Sequence, residues 1–334
     1  MNDNEILQII KTEDQGEIET LLDKARKVRE EHYGKSVFIR GLIEITNYCK
    51  SDCYYCGIRC SNLKLERYRL SPEKILECCR TADMLGIKTF VLQGGEDPWF
   101  TGERVVQIVS AIRQEFPDHA ITLSLGERSQ DDYRLFFRAG ANRYLLRHET
   151  ALDSHYAKLH PPSQTCENRK QCLWTLKKMG FSVGAGFMAG SPYQTPEALL
   201  ADIRFLEELQ PQMVGIGPFI PQKDTPFGAQ KPGNLSLCLK MLAICRLLLP
   251  EALIPATTAM GSIAPNGREL ALNAGANVVM PNMSPPPAKK LYIIYDNKVP
   301  GADEAAENLS LLKEKIISAG FLPDMSRGDA KSKG

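Results

Sequence analysis

Apolar and polar positions along this chain fall into blocks that predict short strands separated by longer amphipathic helices. In residues 1–33 the apolar side chains recur at helical spacing, as at Ile6, Ile9 and Ile10. From Val37 onward, runs of β-branched and apolar residues alternate with helical stretches of ten or more residues. This alternation is typical of a parallel sheet with helical crossovers. We therefore expect an N-terminal helical extension over residues 1–35, followed by an α/β domain.

Eight strand candidates follow one another with no low-complexity linker between them. Some are apolar throughout, such as FVLQ at 90–93, which is typical of parallel strands buried on both faces. Ser71-Pro72-Glu73 predicts the start of a helix over 74–85, because serine caps helices and proline suits their first turn. Eight βα units favour a TIM-type (βα)8 barrel over residues 36–322, with a doubly wound open sheet as the alternative. The strand candidates are 37–46, 89–93, 120–125, 143–146, 182–188, 213–216, 253–256 and 277–280.

Composition and charge narrow the class of protein. The 334 residues are 43% hydrophobic and 24% charged, which predicts a folded globular chain. With 41 basic and 40 acidic residues, the chain has no net field for nucleic acid or a membrane surface, so we expect neither as a partner. The acidic N-terminus and the lack of long apolar runs predict a cytoplasmic protein. The small, polar and basic residues 323–334 predict a flexible tail.

Four of the ten cysteines, Cys49, Cys53, Cys56 and Cys60, lie within twelve residues. In a long chain without a signal peptide, this crowding predicts reduced thiols rather than disulfides. The segment follows the first strand candidate, so it belongs to a loop at the carboxyl end of the expected barrel, where such folds carry their chemistry. Three thiolates with this spacing can bind one iron-sulfur cubane and leave its fourth iron free for a cofactor or substrate.

Other interpretations of the cysteines remain open. A structural zinc ion would need a second ligand pair, for which the nearby chain supplies only Cys60. Cys53, Cys56 and Cys60 form a competing set of iron ligands, and isolated buried cysteines are a further alternative. The remaining cysteines fall on helical candidates, where we interpret them as packing residues: Cys78, Cys79, Cys166, Cys172, Cys238 and Cys245.

The motif CxxxCxxC, with an aromatic residue before its last cysteine and a position after the first barrel strand, resembles the radical S-adenosylmethionine (SAM) superfamily. The resemblance implies a [4Fe–4S] cluster bound by Cys49, Cys53 and Cys56, with an open iron that binds the amine and carboxylate of SAM. It also implies an enzyme that cleaves SAM reductively to a 5'-deoxyadenosyl radical, with an electron donor such as flavodoxin or ferredoxin.

Two further regions are similar to the SAM-binding motifs of the superfamily. The glycines of GGEDP, after the second strand candidate, let the backbone approach a ligand, and the superfamily's GGE motif contacts the methionyl amine. A plain capped turn is the alternative. After the fourth strand candidate, a glutamate and a more distant arginine offer groups for the ribose hydroxyls and the methionyl carboxylate, or else an ordinary surface ion pair. The residues predicted to bind the cofactor are Gly94, Gly95, Glu96, Asp97, Glu149 and Arg169.

Seven segments between about residues 35 and 300, from RGLIEITNYC to GANVVMPN, resemble the FeFe-hydrogenase maturases of this superfamily. The resemblance implies assembly of the diiron subsite of the H-cluster, a small-molecule or organometallic substrate, and companion hydrogenase maturases as partners. Cationic and hydroxyl groups inside the barrel suit an anionic complex. No cysteine follows Cys245, so we expect no second cluster near the C-terminus. The implied substrate-site residues are Arg40, Arg147, Thr257, Thr258, Met280 and Tyr292.

Three alternative functions share parts of this pattern. Methylornithine synthases, which are lysine mutases, would need a carboxylate pair for the substrate amines, whereas the motifs here supply arginines and threonines. Biotin synthases bind a second cluster from the inner strands, and no strand candidate here contains a cysteine. A non-enzymatic iron-sulfur scaffold would not need the ordered cofactor motifs.

Overall fold

The structure is a computed structural model that describes residues 1–298 and 308–331. Its strands and helices alternate as the hydrophobic pattern predicts. Within the described residues, no helix is both long and apolar enough to cross a membrane. The strands are β1 (Ser36–Ile39), β2 (Gly41–Thr46), β3 (Thr89–Gly94), β4 (Ala120–Ser124), β5 (Arg143–Leu145), β6 (Ser182–Ala185), β7 (Met188–Ala189), β8 (Met213–Val214), β9 (Gly217–Pro218), β10 (Val278–Val279) and β11 (Leu322–Asp324). The helices are α1 (Asp3–Lys11), α2 (Gln15–Tyr33), α3 (Pro72–Met84), α4 (Gly102–Glu115), α5 (Gln130–Ala139), α6 (Asp153–Leu159), α7 (Cys166–Lys178), α8 (Pro196–Leu209), α9 (Leu235–Leu248), α10 (Thr258–Ile263), α11 (Gly267–Asn273), α12 (Pro286–Leu291) and α13 (Leu309–Ser318).

The strands close into a barrel, which confirms the predicted fold class. Six parallel strands pair in the order β2–β3–β4–β5–β6–β8, and β10 pairs in parallel with β1. Isolated parallel bridges complete the ring, so the candidate at 253–256 pairs through single bridges rather than as a regular strand. The bridges that close the ring are Met213 to Leu253, Pro255 to Val278, and Leu42 to Asn282.

The barrel wall is buried on both of its faces. Consecutive residues of β3, including Phe90, Val91 and Leu92, are at most 2% exposed, because one face lines the interior and the other contacts the surrounding helices. Helix α4 presents Val105 and Ile112 to this wall at helical spacing. Burial of each such side chain contributes roughly 1.5–3 kcal/mol, which explains why apolar strands and amphipathic helices assemble in this way.

Helices α1 and α2 form the layer expected over residues 1–33, against α8 and α9. Each begins at a side-chain cap. The Asn2 side chain accepts from the Glu5 amide in a capping box, and Asp14 accepts from the Glu17 amide at the start of α2. The buried residue Ile6 anchors α1 on the barrel layer.

The C-terminal residues differ from the flexible tail predicted for 323–334. Strand β11 pairs in parallel with β1, and the chain then crosses the amino-terminal end of the barrel. There the Gly328 carbonyl accepts from Arg40 (3.1 Å) and Arg143 (3.2 Å), and the Asp329 carboxylate lies 2.7 Å from Arg143. The prediction was wrong for 323–331, because small polar composition carries no information about distant buried arginines. Residues 332–334 lie outside the described residues.

Candidate active site

Residues 47–62, the cysteine loop, follow the carboxyl end of β2, as predicted. Cys49, Cys53 and Cys56 are partly buried and unpaired, whereas Cys60 is exposed. Burial raises the pKa of all three thiols, that of Cys56 to about 12. A Cys49 thiolate further raises the pKa of both Cys53 and Cys56, so the three groups act on one another electrostatically. In the part of the chain that is described, no three His, Cys, Asp or Glu side chains converge tightly enough to hold one metal ion.

This set of thiols fits an iron-sulfur cluster in chemistry and position. Neighbouring buried thiolates repel one another in a protein without metal, and bound iron would offset that repulsion because thiolate is the ligand form. Cys60 differs from the other three in that its side chain faces solvent. Burial therefore distinguishes Cys49, Cys53 and Cys56 from Cys60.

The turn at residues 94–97 is hydrogen-bonded to the cysteine loop. The Glu96 amide donates to Cys49 Sγ at 3.3 Å, and the Lys50 amide donates to the Glu96 carbonyl at 2.9 Å. A Cβ on residue 95 would lie 2.2 Å from the Tyr48 carbonyl oxygen, so only glycine permits this close approach. The structure therefore brings the first two predicted motifs together.

We expected Asp97 to bind the cofactor, but its carboxylate hydrogen-bonds to neighbouring protein groups. Its carboxylate is fully buried and accepts from Arg69 Nε (2.7 Å), from Thr46 Oγ1 (2.8 Å) and from the Trp99 amide (3.0 Å). The hydrogen bonds to Arg69, Trp99 and Thr46 hold the pKa of Asp97 below its usual range even though burial raises it. Asp97 therefore holds the turn against β2, as in the capped-turn interpretation, and its carboxylate is engaged by neighbouring protein groups.

Arg169 and Glu149 do not pair with each other. The buried Arg169 guanidinium lies 2.6 Å from Glu127 and 3.7 Å from Glu96, and Glu149 forms an ion pair with Arg147 at 3.0 Å. Sequence reasoning missed Glu127, although the segment TLSLGE places a glutamate just after β4. Gly126, with φ of 72°, makes room for the Glu96 side chain beside it.

Arg147, Glu149 and Thr257 form the polar part of the barrel interior. Glu149 adopts a φ of 65°, a strained conformation for a residue other than glycine. Glu149 Oε2 lies 3.0 Å from Arg147 Nη2 in the ion pair. Among the described residues, Arg147 Nε and Thr257 Oγ1 are buried atoms that have no hydrogen-bond partner. Buried polar atoms of this kind mark a place for a polar ligand or water.

The other two residues at this end of the barrel lie nearer its rim. Thr258 begins α10, and its Oγ1 lies 3.4 Å from an Arg268 nitrogen. The Tyr292 hydroxyl lies 3.4 Å from Gln93 Nε2, and its pKa is raised by burial and by the nearby Glu44 carboxylate. Tyr292 is also within electrostatic range of Cys56, which places it beside the cysteine loop.

Arg40 is the predicted site residue that the structure removes from this site. Its guanidinium lies at the opposite end of the barrel, 3.3 Å from Met213 Sδ and bonded to the C-terminal segment. Met280 packs against the cluster that contains Met213 and Phe38. Arg40 precedes the six-residue strand β2, which at ~3.3 Å per residue separates it from the cysteine loop by roughly 20 Å.

Comparison with known proteins follows this geometry. The profile of the Radical SAM superfamily matches residues 43–206, which include the cysteine loop, the 94–97 turn and Arg169. The [FeFe] hydrogenase maturase subunit HydE of Thermotoga maritima is 48% identical over 286 residues, which are 86% of this chain and 81% of that protein. This chain belongs to the radical SAM superfamily. Radical SAM proteins are enzymes that use a [4Fe–4S] cluster and SAM, and the family implies both cofactors here.

A second group of radical SAM relatives matches nearly the whole chain. The 3-methylornithine synthase of Methanosarcina barkeri is 31% identical over 306 residues, which are 91% of this chain and 85% of that protein. The crystal structure of methylornithine synthase (PylB) has a TM-score of 0.85 and 29% identity, and the match covers 97% of this chain and 94% of that one. The radical SAM barrel is thus shared over its full length.

Proposed function

We propose that this chain is a maturase of FeFe-hydrogenases that uses SAM in the assembly of the diiron subsite of the H-cluster. The observation that carries the proposal is the 48% identity to HydE, which extends over 86% of the chain. A small or organometallic substrate and companion maturases belong to the same proposal, with an electron carrier such as flavodoxin or ferredoxin as reductant.

Cys49, Cys53 and Cys56 are the proposed ligands of the cluster, which leaves one iron open for the amine and carboxylate of SAM. When bound, the cluster supplies the electron that cleaves SAM to a 5'-deoxyadenosyl radical. Support comes from the electrostatic influence of the three thiols on one another and from the contact of Cys49 with the 94–97 turn. The exposed position of Cys60 argues against the competing ligand set.

The SAM site in this proposal lies between the cysteine loop and the carboxyl ends of the strands. The main-chain carbonyl oxygens of Gly94, Gly95 and Glu96 would accept hydrogen bonds from the methionyl ammonium group. The Arg169 guanidinium is buried and fixed by Glu127, so its charge is already positioned for a carboxylate. Glu149, held in its strained conformation beside Arg147, is the proposed partner of the ribose hydroxyls.

The substrate site would lie deeper inside the barrel. Arg147 and Thr257 carry buried polar atoms that lack partners within the described residues, and both face the segment around Gly215 and Gly217. A cation and a hydroxyl beside the same segment of the barrel suit an anionic ligand. Thr258 and Tyr292 extend this site toward the rim, whereas Met280 packs against Met213 and Phe38 and is left out of it.

The test is maturation of an apo-hydrogenase in vitro with companion maturases, SAM and reductant, with and without this protein. We expect hydrogenase activity only when the protein is present, and no activity with Cys49→Ala. Normal activation in its absence would contradict the proposal.

A lysine mutase of the methylornithine synthase kind is the second candidate, favoured by the TM-score of 0.85. Incubation of the reduced, cluster-loaded protein with SAM and lysine distinguishes the two. Formation of methylornithine would favour the mutase, whereas a maturase leaves lysine unchanged. An iron-sulfur scaffold would release no 5'-deoxyadenosine under any of these conditions.

A further inference from the structure

The loop that carries the three cysteines is held at both ends by one side chain from outside the cysteine segment. Residues 47–62 contain no regular helix or strand, so their path depends on side-chain contacts. The guanidinium of Arg67 lies against this loop and donates four hydrogen bonds to its main chain. The acceptors are the carbonyl oxygens of Asn47, Ile58 (2.8 Å), Arg59 (2.6 Å) and Asn62 (3.0 Å).

The positions of these acceptors define what Arg67 does. Asn47 lies two residues before Cys49, and Ile58 lies two residues after Cys56. Both carbonyls accept from the same nitrogen, Nη1 of Arg67, so the two ends of the cysteine segment meet at one point. The planar guanidinium fixes the directions of its N–H groups, which a flexible lysine ammonium does not.

A second contact extends this restraint to the middle of the loop. Arg59, whose carbonyl accepts from Arg67, directs its own guanidinium to Asp52, with Nε 2.7 Å from Oδ1. The Asp52 carboxylate also accepts from the Ser61 hydroxyl at 2.9 Å. Because Asp52 directly precedes Cys53, the chain of contacts from Arg67 reaches the central cysteine.

We propose that Arg67 is a positioning residue for the cluster: it fixes the loop so that Cys49, Cys53 and Cys56 are arranged for iron before iron binds. Among the described residues, Arg67 hydrogen-bonds only to main-chain oxygens of the loop, and it is no ligand itself. Partners that orient metal ligands typically contribute about 10–100-fold to metal affinity. The inference rests on the proposed assignment of these three cysteines as cluster ligands.

The experiment compares full-length, anaerobically reconstituted Arg67→Lys and Arg67→Gln with the unaltered protein. Arg113→Lys is a matched control, since Arg113 also donates to several carbonyls, those of Phe116, Pro117, His119 and Gly140, but far from the cysteine loop. Three quantities are measured: the rate of cluster loss to an iron chelator, the melting temperature of the metal-free chain, and the electron paramagnetic resonance spectrum of the reduced cluster.

We expect both Arg67 variants to lose the cluster about tenfold faster than the unaltered protein and to broaden its spectrum. Arg113→Lys should lower the melting temperature comparably but leave cluster loss within about twofold. The inference is overturned if Arg67→Lys loses its cluster no faster than Arg113→Lys. It is also overturned if only Arg67→Gln, which removes the charge, loses the cluster faster.

Asp52→Asn weakens only the last contact in the chain and so provides a second test if the Arg67 variants do not fold. Faster cluster loss in Asp52→Asn supports the inference, and an unchanged rate overturns it. An unaltered protein that binds no cluster would instead refute the assignment of the cysteines, which separates the two failures.

Discussion

Glu149 combines a strained backbone conformation with a charged side chain at the candidate site. A left-handed conformation costs a residue other than glycine about 1–3 kcal/mol, and here the surrounding structure maintains it at φ 65°. The result is that the carboxylate of Glu149 lies beside Arg147, with Oε2 at 3.0 Å from Nη2. Strain of this kind is typical of a residue whose position matters more for binding than for stability.

At the scale of single residues, substitution should distinguish three of the four clustered cysteines, which bind iron, from the fourth, which does not. Alanine at Cys49, Cys53 or Cys56 should lower bound iron and 5'-deoxyadenosine formation at least about tenfold, because even residues that only orient ligands have effects of this size. Cys60→Ala is the matched control and should retain both. Iron analysis and product chromatography measure the two quantities. Loss of iron in Cys60→Ala with retention in Cys49→Ala would contradict the assignment.

Helix α6 shows how a whole element supports the cysteine loop. The Leu159 carbonyl at its end accepts from the Tyr54 amide at 2.9 Å, and His160 lies 3.2 Å from the Tyr55 hydroxyl. The His160 ring stacks on Tyr156 with centroids 3.9 Å apart. The end of α6 and the middle of the cysteine loop are therefore one packed unit.

Burial in this unit lowers the pKa of His160 from 6.5 to about 3, with Arg169 acting in the same direction. Between these values the unfolded chain binds a proton that the folded chain does not, so stability rises with pH and is lost as pH falls below about 6.5. The expected contribution is roughly 1.4 kcal/mol per pH unit.

Urea unfolding of the metal-free chain between pH 6.5 and 4.5 tests this prediction. The free energy of unfolding should change less steeply with pH in His160→Gln. The slope should fall by about 1.4 kcal/mol per pH unit, the contribution of one bound proton. His32→Gln, at the end of α2, is the control and should leave the slope unchanged. An identical slope in His160→Gln and the unaltered protein would contradict the prediction.

At the scale of the whole molecule, the two ends of the barrel have separate tasks. The carboxyl end carries the cysteine loop and the 94–97 turn, and the amino-terminal end is covered by residues 327–329. The Thr89 hydroxyl donates to the Arg327 carbonyl at 2.8 Å, and Arg143, which is 1% exposed, pairs with Asp329. The C-terminal segment thus satisfies charges that the closed barrel would otherwise bury without partners.

Deletion of residues 327–334 should therefore destabilise the protein by about 3–5 kcal/mol, the usual cost of an unpaired buried charge. Deletion of 332–334 alone keeps the contacts just named and serves as the control. Urea unfolding measures the free energy of both variants. Equal stability of the longer deletion and the control would show that these contacts contribute nothing.

The sequence by itself determined the local and periodic features of this protein. Apolar runs such as 90–93 predicted buried parallel strands, Ser71 and Pro72 predicted the start of α3, and the spacing of Cys49, Cys53 and Cys56 predicted a cluster loop. These features depend on neighbours in the chain, because hydrogen bonding and burial repeat with the period of a helix or strand.

Only the tertiary structure decided which distant groups meet. It paired Arg169 with Glu127, turned Asp97 toward Arg69, and moved Arg40 to the far end of the barrel. It also changed the expected flexible tail into a segment that binds Arg143. The physical reason is that ion pairs and buried hydrogen bonds form between residues far apart in sequence, and their partners are set by barrel closure rather than by local pattern.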